Sequence, residues 1–85
     1  MARLEKFLRK AREQPNNLQF NEFQALLLSL GFEFDHQKGS HLVYVHPKLR
    51  RPVVIQSRGG KAVAYQVRDI LNLVEEYDLL ERDNG

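Results

Sequence analysis

The spacing of apolar residues predicts three amphipathic helices. A narrow apolar stripe runs through the charged residues 2–14, and a broader stripe covers one face of residues 20–30. Gly31 stands directly after the second stripe, where the end of a helix favours a residue with positive φ. A third stripe predicts a last helix of about 65–77.

Between the second and third helices the pattern changes to a period of two. Two alternating runs, 32–36 and 41–46, predict an antiparallel hairpin. In the first run Phe34 and His36 are in phase, so we expect them on one face of the sheet. The connection at 37–40 contains Gly39, and glycine is the residue that a short turn between strands usually requires. We therefore expect the hairpin to turn at this glycine.

The remaining pattern predicts a third strand and a two-layer fold. The β-branched residues 53–55 suggest the strand, and residues 57–61 are expected to form a flexible loop. In the second run His41 and Tyr44 are out of phase, so we expect them on opposite faces of the sheet. The predicted class is α+β, with a three-stranded antiparallel sheet, two helices on one face and an additional N-terminal helix.

The whole chain, residues 1–85, is expected to form one domain. Residues 1–15 would be a peripheral helix, and the sequence leaves open whether that helix packs at the edge of the core or forms an interface. Residues 17–77 would form the core. The acidic tail, residues 78–85, is expected to fray.

Charge is distributed unevenly along the chain. The net charge is +2, but residues 75–85 hold five acids and one arginine, so residues 1–74 carry +6. Between His36 and Arg68 there is no acid. A basic surface of this kind favours nucleic acid, although a solvated basic face is the plain alternative. The basic residues of the stretch are Lys38, Lys48, Arg50, Arg51, Arg58, Lys61 and Arg68.

Composition excludes several classes of function. The chain has no cysteine, which excludes disulfides, thiolate metal sites and thiol nucleophiles. No targeting segment and no apolar run of about 18 residues is found, so we expect a cytoplasmic protein without a membrane partner. A deep cofactor cleft is hard to build from 85 residues, so we expect no cofactor. A binding module, or a nuclease that uses one or two side chains, fits this length.

His41 is the candidate catalytic residue. It follows the turn residues Gly39 and Ser40, and a neutral imidazole can accept the proton of a ribose 2′-hydroxyl. Lys38 and Arg58 could then offset the charge that develops on the phosphate. The alternative is a structural histidine bonded to a neighbouring carbonyl. His36 and His46 each lie at a strand end with no Gly-Ser turn beside them, and they are expected to be surface residues. A zinc site built from the three histidines is disfavoured, because no pair has a recognised metal-ligand spacing, and no metal is expected.

A second candidate phosphate contact is the segment Gly59–Lys61. The longer glycine pattern of a nucleotide-binding P-loop is missing, so nucleotide hydrolysis is rejected. Arg58 and Lys61 flank glycines that permit close approach of a phosphate, although an ordinary flexible loop explains the segment equally well. Arg68 could reach the same phosphate path or pair with a polar neighbour at the surface.

Together these motifs resemble the HicA family of toxin-antitoxin systems, over about residues 20–74. In that family a helix ending in Gly-Phe leads into a Gly-Ser-His turn, with an aromatic residue three positions later and a Gly-Lys before the last helix. The chain is most similar to a longer branch with an extra N-terminal helix and a Tyr-Gln-Val-Arg motif, matched here by residues 65–68. The matching segments are Leu30–Phe32, Lys38–Tyr44, His46–Pro47 and Gly60–Lys61.

The resemblance implies a fold like that of double-stranded-RNA-binding domains, cleavage of mRNA, and neutralisation by a HicB-type antitoxin. It implies that His41 is catalytic and that Gly39 and Ser40 shape the turn. It also implies RNA contact by Lys38, Tyr44, Arg58 and Lys61. Together with the phosphate path proposed for Arg68, the expected RNA-binding residues are Lys38, Gly39, Ser40, Tyr44, Arg58, Lys61 and Arg68.

Two departures from the family pattern keep alternatives open. Many members carry a second histidine directly after the first, where this chain has Leu42. The strand before the glycine loop often reads Val-Pro with a nearby histidine, where this chain has Val54–Gln56. The alternative to a ribonuclease is a non-catalytic RNA-binding module of the same fold. A third hypothesis is a protein-interaction domain whose basic surface binds an acidic partner.

Overall fold

The computed structural model describes residues 2–80, and for residues 2 and 3 only the backbone. Three α-helices and four strands alternate with short connections, including a 3-10 turn at Pro15–Asn17. In chain order the elements are α1 Ala2–Glu13, α2 Phe20–Ser29, β1 Glu33–Lys38, β2 His41–Val45, β3 Val53–Arg58, β4 Lys61–Ala62 and α3 Ala64–Glu76.

The α+β class is confirmed, but the sheet has four strands rather than three. The strands lie in the order β1-β2-β3-β4, and the described neighbours pair in antiparallel fashion. The predicted flexible loop at 57–61 is wrong. Gly59 and Gly60 have φ of 60° and 80°, and this tight turn lets residues 57–58 pair with residues 61–62. A strand of two residues is too short to show an alternating pattern in the sequence.

The core lies between the helices and one face of the sheet. Leu42 pairs with Ile55 and Tyr44 pairs with Val53, so these four side chains share that face. Tyr44 and Ile55 are buried among side chains of all three helices. The largest fully buried side chains are Phe23, Phe32, Leu18, Leu26, Leu27, Ile55, Val67 and Val74.

The first helix contributes to this core. Leu4, Leu8 and Ala11 are buried in the same cluster as the side chains of α2 and α3. The Lys10 ammonium donates to the carboxylate of Glu22 at 2.9 Å, which ties α1 to the first turn of α2. The N-terminal helix is therefore fixed to the domain by both apolar packing and an ion pair.

The end of α3 is closed by the residues that follow it. Asp78 adopts a φ of 54°, and the Leu79 N–H donates to the Val74 carbonyl at 3.0 Å. This geometry satisfies carbonyls of the last helical turn, and it buries the Leu79 side chain. The expectation of fraying therefore does not hold at Leu79. Residues 81–85 of the predicted tail lie outside the described residues.

Strand β1 contains a bulge that changes which side chains share a face. The pairing shifts between Phe34 and His36, so Phe34 lies opposite Tyr44 while His36 lies opposite Val43. The rings of Phe34 and Tyr44 meet edge to face, with centroids 5.6 Å apart. The bulge therefore turns His36 to the face of the sheet opposite the core, whereas the sequence pattern placed it in phase with Phe34.

Over the described residues, no helix has both the length and the apolar character needed to cross a membrane.

Candidate nucleic-acid interface

Two tight turns at the same end of the sheet organise the candidate site. The first is Gly39–Ser40, in which Gly39 has a φ of 61° and the Gln37 side-chain amide donates to the Gly39 carbonyl at 2.9 Å. A single positive φ at the first turn position matches the type II′ hairpin turn. In the second turn, Gly59 and Gly60 both have positive φ, which matches type I′. Each turn fixes the register of the residues on either side of it.

His41 is the first residue of β2 and lies between two polar cross-strand neighbours. It pairs with Lys38 on β1 and with Gln56 on β3. Side chains of paired residues share a face, and their Cα atoms are separated by about 4.5–5.5 Å. His41, Lys38 and Gln56 are therefore adjacent on the face opposite the core. The His41 side chain is exposed, as a residue that acts on a large substrate must be.

The glycine turn at 59–60 brings two more cations to this end of the sheet. Arg58 follows Gln56 by two positions on β3, so strand alternation places it on the same face. Lys61 pairs with Arg58 and shares that face too. Both side chains are exposed. The open-face site therefore consists of five residues from four strands: Lys38, His41, Gln56, Arg58 and Lys61.

An exposed apolar side chain borders the open-face site. Val54 pairs with Val43 on the same face as His41, and Val54 is 45% exposed whereas Val43 is buried. Helices α2 and α3 pack on the other face, around Tyr44 and Ile55. Exposed cations beside the exposed Val54 side chain form a surface that can contact both the phosphates and the bases of a single strand.

Tyr44 does not belong to this site, which corrects the expectation that it contacts RNA. Only 3% of the residue is exposed, and its ring lies in the core. Its hydroxyl accepts a hydrogen bond from the Gln24 side-chain amide at 3.2 Å. The alternation of β2 turns Tyr44 toward the helices because it is out of phase with His41.

Arg68 lies on the side of α3 away from β3. Gln66 marks the side that faces the strand, because its side-chain oxygen accepts the Gln56 N–H at 3.0 Å. Two residues correspond to about 200° around a helix, so Arg68 projects in nearly the opposite direction. Glu75, seven residues later, lies on the same side of α3 as Arg68 and pairs with Arg12 of α1 at 3.7 Å. The structure therefore does not bring Arg68 together with the open-face site.

The two other histidines have contrasting environments. His46, expected at the surface, is buried: its Nε2 lies 2.9 Å from the Leu30 carbonyl, and its Nδ1 accepts the Lys48 N–H at 3.0 Å. This pattern assigns the neutral form with the proton on Nε2. A carbonyl at the end of a helix needs a donor from outside the helix, and His46 supplies one to α2. His36 is exposed on the open face, next to the site.

Among the described residues, no group of three or more His, Asp or Glu side chains could hold a metal ion. In the part of the chain that the structure describes, one groove of about 510 Å³ runs beside α1 and Leu80, and another of about 330 Å³ lies between residues 49–53 and α3. Neither of these two grooves includes His41, whose side chain is exposed.

Two helices on one face of an antiparallel sheet, and a basic opposite face, define an α+β domain like double-stranded-RNA-binding domains. The HicA toxin family of bacterial toxin-antitoxin systems has a family model that matches residues 20–75. The match covers more than half of the chain, and the protein belongs to this family. Neither a curated protein nor a solved structure matches the chain significantly.

Proposed function

We propose that the protein is a ribonuclease toxin that cleaves mRNA in the cytoplasm with His41 as general base. The observation that carries the proposal is the position of His41, exposed on the face opposite the helices and paired with Lys38. Strand pairing and alternation add Arg58 and Lys61 to the same face. Membership in the HicA toxin family supports the toxin role, because the family generally consists of ribonuclease toxins.

The proposed reaction is a transfer of the phosphodiester to the adjacent ribose oxygen. A neutral His41 imidazole takes the proton of the 2′-hydroxyl, and the 2′-oxygen forms a bond to phosphorus. The bond from phosphorus to the 5′-oxygen then breaks, and that oxygen takes a proton from water or from an acid on the protein. The products are a 2′,3′-cyclic phosphate and a 5′-hydroxyl, and His41 returns its proton to solvent. Negative charge grows on the non-bridging oxygens during this step, and the nearby cations Lys38 and Arg58 stabilise that charge.

The other residues of the open-face site position the RNA. Gly39 and Ser40 form the turn that fixes Lys38 opposite His41, and an exposed turn with a glycine lets the RNA backbone approach closely. Lys61 supplies a further phosphate contact beside Arg58. The Gln56 side-chain amide, across from His41, can donate a hydrogen bond to a phosphate oxygen.

The proposed protein partner is a HicB-type antitoxin that covers this face. An open surface rich in cations is matched by an acidic partner surface, and association of opposite charges is fast and specific. Covering His41 and Lys38 would exclude RNA from the site. Addition of the cognate antitoxin to the purified toxin is expected to abolish RNA cleavage and RNA binding together, and undiminished cleavage in a stable complex would contradict this arrangement.

One observation favours a second candidate function, a non-catalytic RNA-binding module. Gln56 occupies the position directly opposite His41, in the strand where members of the family often have a nearby histidine. An amide binds phosphate but transfers no proton at neutral pH. A chain with this substitution would retain salt-dependent RNA affinity even if cleavage were lost.

The deciding experiment incubates purified protein with a long unstructured RNA, with and without EDTA, and compares the wild type with His41→Ala. Cleavage that persists in EDTA and disappears in His41→Ala supports the ribonuclease, provided that circular dichroism shows a folded variant. Intact RNA that shifts on a native gel supports the binding module. Neither cleavage nor a shift favours the protein-interaction domain.

A further inference from the structure

A second histidine on the open face is oriented by a carboxylate. His36 Nδ1 lies 2.6 Å from Asp35 Oδ2, and both side chains are more than half exposed. At the bulge in β1, Asp35 has no cross-strand partner in the register, and the shift turns His36 to the face opposite the core. Because Nδ1 is held by the carboxylate, Nε2 is the ring nitrogen left to face a substrate.

The register places His36 and His41 diagonally across the β1-β2 pair. His36 lies opposite Val43, and His41 lies two residues before Val43 on β2. Diagonal neighbours of this kind are about 7–8 Å apart between their Cα atoms. Imidazoles project from both positions on the same face, so one phosphodiester can lie between the two rings.

We propose that His36, oriented by Asp35, is the general acid of the cleavage reaction. As the 5′-oxygen leaves phosphorus, the protonated Nε2 of His36 transfers its proton to that oxygen, while His41 takes the proton of the 2′-hydroxyl. In the protonated form of His36 the Nδ1–H donates to the Asp35 carboxylate, and the Nε2–H is the one that faces the substrate. One proton is gained and one is donated, so the overall reaction needs no metal and no co-reactant.

This inference rests on the proposed ribonuclease function. It adds the general acid that protonates the 5′-oxygen. The family pattern often provides a histidine near the end of β3, and this chain has Gln56 in that strand. His36 supplies an acid from β1 instead. The other charged groups on this face are Glu33 and Lys38 on β1, Arg58 on β3 and Lys61 on β4, with the titratable His41 on β2. Glu33 pairs with Val45, which is in phase with His41, so this carboxylate shares the face with His36.

The test separates an acid from a structural residue by changing the leaving group. An RNA with a natural linkage at the mapped cleavage site is compared with the same RNA carrying a 5′-bridging sulfur there, because a thiolate leaves without protonation. His36→Gln is expected to slow cleavage of the natural linkage by about 10²- to 10⁴-fold and to leave the sulfur linkage within a few-fold of wild type. Asp35→Asn should slow cleavage of the natural linkage by a smaller factor and should likewise leave cleavage of the sulfur linkage nearly unchanged.

Two variants serve as controls. His41→Ala should slow both substrates, because the base is needed whatever the leaving group is. Glu13→Gln, at an exposed carboxylate of α1 on the helical side of the molecule, should change neither rate. With the natural linkage, His36→Gln should also lose the fall in rate at alkaline pH that reports an essential protonated acid.

The possible results test the role of His36 separately from the ribonuclease function. Equal slowing of both substrates by His36→Gln, or no slowing of either, overturns the role of His36 while the ribonuclease stands. Wild-type protein that cleaves neither substrate removes the ribonuclease function and the inference with it.

Discussion

Lys38 and His41 face each other across the two-residue turn Gly39–Ser40, so the candidate base and its nearest cation are held in one hydrogen-bonded register. A turn of this kind fixes its flanking pair more closely than a flexible loop would, because only two residues separate the strands. The two-residue turn Gly59–Gly60 likewise fixes the pairing of Arg58 with Lys61. The open-face site is therefore assembled largely by backbone geometry.

The first prediction concerns the space beside Gly31. This residue has a φ of 97°, and an added Cβ would lie 3.1 Å from His46 Nε2. Gly59 also has positive φ, but an added Cβ there meets no atom within 4 Å among the described residues. We expect Gly31→Ala to lower the free energy of unfolding by about 2–3 kcal/mol and Gly59→Ala by about 1 kcal/mol. Urea unfolding measures the free energy of unfolding of both variants. An equal decrease in the two variants would show that the contact with His46 does not destabilise Gly31→Ala.

The second prediction concerns the pH dependence of the link between α1 and α2. The pKa of Glu22 is lowered from its ordinary 4.5, first by the Lys10 side-chain hydrogen bond and then by the Gln19 N–H. A lowered folded-state pKa gives stability that is present above the ordinary pKa and is lost as the pH falls through the lowered value. Glu22→Gln should therefore cost about 1 kcal/mol at pH 7, and the difference from wild type should shrink toward pH 3.

Glu13 offers the matched control for this measurement. It is an exposed carboxylate at the end of α1, and Glu13→Gln should change stability by less than about 0.5 kcal/mol at either pH. A difference between wild type and Glu22→Gln that stays constant from pH 7 to pH 3 would show that the charge of Glu22 is not the source of its contribution.

The third prediction concerns phosphate contacts. In a His41→Ala background that prevents cleavage, Lys38→Ala and Lys61→Ala should each weaken RNA binding and reduce the slope of log affinity against log salt by about 0.7. Arg9→Ala removes an exposed cation from α1, on the helical side of the molecule, and should leave the slope unchanged. Fluorescence anisotropy at several salt concentrations gives these slopes, and an equal effect of Arg9→Ala would mean that RNA does not prefer the open face.

The fourth prediction concerns Tyr44. Tyr44→Phe removes the hydroxyl that accepts the Gln24 hydrogen bond and should lower stability by about 0.5–1.5 kcal/mol. Because the ring is buried among the helices, RNA affinity should not change. A loss of RNA affinity in a folded Tyr44→Phe variant would instead support the RNA contact of Tyr44 that the family resemblance implies.

The helices were largely predictable from the sequence, because each carries an apolar stripe long enough to show its period. The predicted helix at 2–14 is observed as Ala2–Glu13, and the one at about 65–77 as Ala64–Glu76. Gly31 ends α2 with positive φ, as predicted. Strand β4 was not predicted, because a strand of two residues is too short to show the alternation of apolar and polar positions.

Part of the candidate site depended on features that leave little trace in the sequence. Alternation separated His41 from Tyr44 correctly, but the bulge at Asp35 reversed the expected face of His36. The burial of His46 depends on a long-range hydrogen bond to Leu30, which no local pattern encodes. The unsatisfied carbonyls at the end of α2 were the only available signal for such a donor.

The most direct test of the central claim is the chemistry of the RNA ends. A defined RNA is incubated with wild type and with His41→Gln, and the products are identified by mass spectrometry. The wild type is expected to give 2′,3′-cyclic phosphate and 5′-hydroxyl ends, and His41→Gln is expected to bind the RNA and leave it intact. Equal cleavage by the variant, or wild-type products with 3′-hydroxyl ends, would contradict the claim that His41 activates the ribose hydroxyl.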